Sequence, residues 1–73
     1  MPKEKPEWRL RLDQCDEIME AIDDLPERAE DFAISAAETV HDIAEWVQAN
    51  KHITPRQCTA LDNIQDGVAK WSN

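Results

Sequence analysis

PERAEDFAISAAETVHDIAEWVQA, residues 26–49, is the stretch that decides the fold. Small and apolar side chains recur along it at alternating steps of three and four residues, namely Ala29, Ala33, Ala36, Val40, Ile43 and Val47. This spacing is typical of the seam of a helix in a bundle or coiled coil. The alanines in the first half of the seam allow a neighbouring helix to approach closely. We therefore predict a helix from Pro26 to about Ala49 that packs against other helices.

A helix is also predicted before this stretch, over about 8–24. Its apolar residues fall at helical spacing, namely Trp8, Leu12, Cys15, Ile18, Met19, Ile22 and Leu25. Pro26 separates the two helices, because proline disfavours the helical conformation in the residue before it yet fits the first turn of a new helix. Asp24 is predicted to cap that new helix, and the acids that follow suit its positive end.

A third helix is predicted over about 55–71. Thr54 and Gln57 form a capping box, with Pro55 at the first helical position. The apolar stripe comprises Cys58, Leu61, Ile64, Val68 and Trp71. Gly67 costs a helix about 1 kcal/mol relative to alanine, so it marks either close packing or early fraying. Short turns between three helices predict an all-α, compact three-helix bundle-like domain over 8–73, after a mobile lead-in over 1–7.

The chain length and the cysteines narrow the class of protein. Seventy-three residues make one small domain, which buries only about 60% of its unfolded surface. No apolar run approaches the roughly 20 residues that cross a bilayer, and the first residues lack a signal-peptide apolar region, so we predict a cytoplasmic protein. Cys15 and Cys58 are interpreted as reduced core thiols, with a single disulfide bridge as the alternative.

The net charge of −8 is concentrated in the middle of the chain. Residues 1–12 sum to +2, residues 13–45 to −11 and residues 46–73 to +1. Ordinary solvated helices interleave both signs, because like charges three or four residues apart repel by a few tenths of a kcal/mol. An acidic chain is repelled by nucleic acid and by anionic membranes and is attracted to basic surfaces. The acidic run therefore either keeps the domain soluble or binds a basic partner.

The candidate partner-binding residues are eight carboxylates, namely Asp16, Glu17, Glu20, Asp23, Asp24, Glu27, Glu30 and Asp31. Helical neighbours three or four apart lie about 5–6 Å from each other, which is comparable with the spacing of phosphates along a nucleic-acid strand. We therefore predict a small non-enzymatic inhibitor that mimics DNA and binds a basic nucleic-acid-binding surface of a host protein complex. Trp8 with Arg9 and Arg11 is a second candidate contact, with packing at the edge of the core as the alternative.

Two other functions compete with this hypothesis. In one, the chain is an oligomerising helical adaptor or structural module, and the 29–47 seam pairs across a homodimer. In the other, remote alternative, it is a metal-dependent nucleotide hydrolase, because Glu17-x-x-Glu20 and Glu27-x-x-Glu30 resemble the magnesium sites of all-helical nucleotide pyrophosphohydrolases. Glu38-x-x-His41 likewise has the spacing of a di-iron motif, but the required second motif is missing. We predict no catalytic residues, cofactor or metal.

The segment from Phe32 to Trp71 resembles small helical proteins encoded by bacteriophages. The resemblance is carried by Trp46, Ile53-Thr54-x-x-Gln57, Ala60-Leu61, Ile64, Gly67-Val68 and Trp71. Tiny acidic phage proteins often inhibit host defence, and among them are anti-CRISPR proteins that block DNA entry. The resemblance therefore implies a CRISPR surveillance complex in the host cytoplasm as the partner.

Overall fold

Three α-helices account for most of the chain in the computed structural model, which describes residues 4–72. They are α1, Glu7–Asp23, α2, Glu30–Asn50, and α3, Pro55–Ser72. The described residues form no strand, so the predicted all-α class is confirmed. The bounds of α1 and α3 differ by one residue from those predicted. Within the predicted lead-in, residues 1–3 lie outside the described residues, and Glu7 already belongs to α1.

The connection between α1 and α2 differs from the prediction. Pro26 is extended, with φ −66° and ψ 158°, and a short 3-10 helix, Glu27–Ala29, precedes α2. Asp24 does not cap α2; it ends α1 instead, where its backbone N–H donates to the carbonyl oxygen of Ala21 at 3.2 Å and the N–H of Leu25 donates to that of Ile22 at 3.1 Å. The conformation of this turn depends on the burial of Ala29, which is 1% exposed. Its place in the core sets the path of the chain into α2.

The connection between α2 and α3 follows the local signals. Lys51 adopts the left-handed conformation, with φ 51° and ψ 43°, and its N–H donates to the carbonyl oxygen of Val47 at 2.8 Å. The predicted capping box is confirmed: the N–H of Thr54 donates to Gln57 Oε1 at 3.0 Å, and the N–H of Gln57 donates to Thr54 Oγ1 at 3.2 Å. The chain thereby reverses, and α3 runs antiparallel to α2.

The core collects the apolar faces of all three helices. Its buried residues are Cys15, Ile18, Ile22, Ala29, Ala36, Val40, Ile43, Val47, Ile53, Leu61 and Val68. Most of the predicted α2 seam is therefore covered within one chain. A second copy of the chain cannot reach these buried side chains while the fold stays intact.

Gly67 marks close packing and not fraying, because α3 continues past it to Ser72. A Cβ atom at position 67 would lie 2.8 Å from Cζ and 2.9 Å from Cε1 of Phe32. The Phe32 ring also lies beside Trp71, with 6.5 Å between the ring centroids. These contacts fix the end of α3 against the start of α2.

Both cysteines are free thiols, as predicted. Cys15 is buried, and burial, helped by the neighbouring charge of Asp16, raises the pKa of its thiol to about 11. Cys58 is half-buried, and its Sγ lies 3.8 Å from Glu7 Oε1. Cys15 is therefore held as a neutral, apolar core side chain.

Candidate acidic interaction surface

The eight predicted carboxylates are all exposed. We call them the acidic surface: Asp16, Glu17, Glu20, Asp23, Asp24, Glu27, Glu30 and Asp31. The first four lie on the face of α1 opposite the buried Cys15, Ile18 and Ile22, and Asp24 is the C-cap of that helix. The last three lie on the 3-10 helix and in the first turn of α2. The α1–α2 connection thus places the two groups at one end of the bundle.

No carboxylate of the acidic surface has a hydrogen-bond or ion-pair partner among residues 4–72. The ion pairs found there join Lys5 to Asp13 at 3.0 Å, Arg11 to Asp62 at 2.8 Å and His41 to Glu45 at 3.2 Å. Arg28, the base nearest in sequence, lies with its guanidinium carbon 6.0 Å from the centroid of the Trp71 ring. The described residues therefore leave the negative charge of the acidic surface uncompensated.

Helix dipoles divide the acidic surface into two parts. The last turn of α1 has no basic residue, and it carries Glu20 and Asp23 at the negative end of the helix dipole. An acid there is unfavourable by about 0.3–1 kcal/mol. Glu30 and Asp31 instead occupy the first turn of α2, where a carboxylate stabilises the helix by a similar amount. Glu30 and Asp31 therefore have a structural role, whereas Glu20 and Asp23 weaken the helix that carries them.

The molecule measures 44 × 25 × 17 Å. Its tertiary structure places most of the acids in one half. The end of α1, the start of α2 and the end of α3 share this half, as the contacts of Phe32 with Gly67 and Trp71 require. Residues 14–40 and 64–72 carry ten acids and two bases, whereas residues 4–13 and 41–63 carry six acids and five bases. The opposite half is therefore nearly neutral, although residues 41–45 belong to the acidic run of the sequence.

The other predicted contact site is engaged within the fold. Trp8 is half-buried against the core, and Arg9 lies 5.7 Å from its ring centroid. Arg11 Nη1 donates to Gln14 Oε1 at 2.7 Å and to Asp62 Oδ1 at 2.8 Å. The hydrogen bond to Asp62 is the main cause of the raised pKa of Arg11. Edge-of-core packing therefore explains Trp8, and Arg11 joins α1 to α3.

Hydrogen bonds from Gln14 and Arg11 lower the pKa of Asp62 below its ordinary value. The largest cause is the hydrogen bond from Gln14 Nε2, at 3.1 Å, followed by the bond from Arg11. Gln14 Nε2 also donates to Gln65 Oε1 at 2.8 Å. This cluster of four side chains aligns α1 alongside α3, and sequence spacing alone did not indicate it because its partners lie about 50 positions apart.

The two Glu-x-x-Glu pairs that suggested a magnesium site are exposed. Among the described residues, no group of three His, Cys, Asp or Glu side chains is arranged to hold a metal ion, and no ligand-sized pocket opens. Within that part of the chain, neither Glu-x-x-Glu pair is therefore joined by a further ligand. His41 Nε2 contacts Glu45 Oε1 at 3.2 Å on an exposed face of α2.

Ile34 is a surface feature that the sequence reasoning missed. Ile34 is 54% exposed on α2, close to Glu30 and Asp31 of the acidic surface. The sequence could have indicated this exposure, because Ile34 follows Ala33, lies off the seam and has acids on both sides along the chain. Trp46 is also exposed, at 40%, and its ring lies 6.3 Å from that of His52.

The fold and the surface define a small acidic three-helix protein. No protein-family model, curated protein or solved structure matches the chain. In residues 4–72, no helix has the length and apolar character needed to cross a membrane.

Proposed function

We propose that this protein is a small acidic inhibitor that binds a basic nucleic-acid-binding surface of a protein complex. The acidic surface would occupy the place of the phosphates and exclude the nucleic acid. The observation that carries this proposal is the set of eight exposed carboxylates without a partner among the described residues, on the half with ten acids and two bases. Such a charge distribution steers association with a basic surface and makes binding weaken with salt.

The spacing along α1 supports mimicry of a phosphate row. Asp16, Glu20 and Asp23 follow one another at steps of four and three residues on the outer face of the helix. Side chains at this spacing lie about 5–6 Å apart. Glu20 and Asp23 lie in the last turn of α1, where a negative charge opposes the helix dipole. A binding role accounts for acids that the fold itself does not favour.

The first target to assay is a CRISPR surveillance complex. Such complexes hold nucleic acid in positively charged channels, which are complementary to the acidic surface. The resemblance of residues 32–71 to small phage-encoded proteins supports the same choice.

The test compares two variants that each lose three negative charges, changing the formal net charge from −8 to −5. The surface variant neutralises three acids of α1 and carries Glu17→Gln, Glu20→Gln and Asp23→Asn. The control variant neutralises exposed acids of the opposite half and carries Glu4→Gln, Asp42→Asn and Glu45→Gln. Each tagged protein is incubated with a nuclease-treated bacterial lysate and, separately, with a purified CRISPR surveillance complex, with and without heparin. Circular dichroism verifies that both variants fold.

The wild type and the control variant should capture the same nucleic-acid-binding protein, and heparin or added salt should displace it. The surface variant should bind about tenfold more weakly, because three exposed charge contacts contribute roughly 0.5 kcal/mol each. Equal weakening of the two variants would show that net charge alone matters. Capture that resists heparin and salt, or recovery of only a second copy of this chain, would contradict the proposal.

A further inference from the structure

An apolar strip on α2 runs from the edge of the core out to the surface. Ala33 and Ala37 are half-buried at the edge of the core, and Ile34, which is 54% exposed, extends the apolar surface outward. We call these three residues the α2 strip. A β-branched isoleucine is a poorer helix former than alanine or glutamate, so Ile34 neither fills the core nor favours its own helix.

Acidic side chains border the α2 strip on both sides along the helix. Glu30, Asp31 and Glu38 stand four residues before, three residues before and four residues after Ile34. Residues at these spacings are surface neighbours on a helix, about 5–6 Å apart. All three are exposed, and none has an ion-pair partner among the described residues. An apolar centre within a charged rim is the usual anatomy of a protein interface.

We infer that the α2 strip is the docking site for a basic amphipathic helix of the partner protein. This inference rests on the proposed function and adds to it the recognition of an apolar side chain. The apolar stripe of the partner helix covers Ile34, and its flanking Lys and Arg side chains meet the acidic rim.

Charge complementarity selects this occupant. Nucleic acid and anionic membranes are repelled by the rim. A second copy of this chain, placed symmetrically, would bring Glu30, Asp31 and Glu38 against the same residues of the other copy. A partner surface that is basic and fully polar would meet the rim but would leave Ile34 in water or bury it against polar groups.

The test uses a matched pair of variants, Ile34→Ser and Leu10→Ser. Leu10 is 53% exposed, almost the same as Ile34, and it lies on α1 in the nearly neutral half. The probes are two synthetic helical peptides of roughly 18 residues with equal positive charge. One is amphipathic, with Leu on one face and Lys on the other, and the second replaces its Leu residues with Gln. Fluorescence anisotropy gives the Kd of each peptide for the wild type, the two serine variants and the surface variant.

The wild type should bind the amphipathic peptide about fivefold more tightly than the polar one, because Ile34 has about half of its side chain left to bury. Ile34→Ser should abolish this preference, and Leu10→Ser should retain it. Equal affinity of the wild type for both peptides, or equal loss of preference in both serine variants, would overturn the inference alone. Failure of both peptides to bind the wild type, or binding of both peptides that the surface variant leaves unchanged, would instead overturn the proposed function.

Discussion

Gly67→Ala should destabilise the protein, although alanine is the better helix former. In a helix interior, alanine is favoured over glycine by about 1 kcal/mol. At this position its Cβ would lie 2.8 and 2.9 Å from two atoms of the Phe32 ring, well inside the optimum of about 3.5–4.0 Å for carbon atoms. The ring must therefore move by roughly 0.7 Å or more, and its neighbour Trp71 restricts that movement.

Overpacking of this kind costs about 1–3 kcal/mol. With the gain in helix propensity subtracted, Gly67→Ala should lower the free energy of unfolding by about 1 kcal/mol. Urea denaturation followed by far-ultraviolet circular dichroism measures this change.

A double-mutant cycle with Phe32→Leu isolates the clash. Leucine lacks the outer ring atoms that the new Cβ would meet, so in that background Gly67→Ala should stabilise the protein by up to about 1 kcal/mol. The coupling free energy between positions 32 and 67 should then be about 2 kcal/mol. If Gly67→Ala stabilises the wild type as much as it stabilises the Phe32→Leu protein, the ring does not obstruct position 67 and the reasoning is refuted.

Three further predictions concern Cys15, Lys51 and the pair Asp23 and Asp31. Burial holds the Cys15 pKa at about 11, above its ordinary value of 9.0, so its stabilising effect is complete below about pH 9 and is lost as the pH rises towards 11. Urea titrations should show a loss of up to about 2–3 kcal/mol that is absent from Cys15→Ala, and a thiol reagent at neutral pH should modify Cys58 first. Lys51→Gly should raise the free energy of unfolding by about 1 kcal/mol, because glycine adopts the φ of 51° without strain; an unchanged urea midpoint would contradict this. Asp23→Asn should stabilise the fold and Asp31→Asn destabilise it, each by about 0.3–1 kcal/mol at low salt, and shifts of the same sign in thermal denaturation would contradict the dipole argument.

Local chemistry explains why much of the fold was predictable. The capping box at Thr54 and Gln57 and the periodic apolar residues of α2 act through neighbours within four positions. Such signals survive in the sequence regardless of what packs around them. Most of the core residues followed from them, as did the helix bounds to within one residue, except for the start of α2.

The turn before α2 shows where local signals fail. Asp24 is a suitable N-cap by residue type, but the structure uses it to end α1. Burial of Ala29 sets the path of the chain, and that burial depends on residues far along the sequence. For the same reason, the sequence left open whether Gly67 marks close packing or fraying.

The acidic surface likewise depends partly on local sequence and partly on contacts between distant residues. The sequence by itself determined which carboxylates exist and that they lie on the outer faces of helices, because exposure follows from the 3.6-residue period. Only the tertiary structure decided that the end of α1 and the start of α2 meet the end of α3, and that Arg11 pairs with Asp62 instead of compensating the acidic surface. Those outcomes depend on contacts between residues far apart in sequence, and helical periodicity carries no information about them.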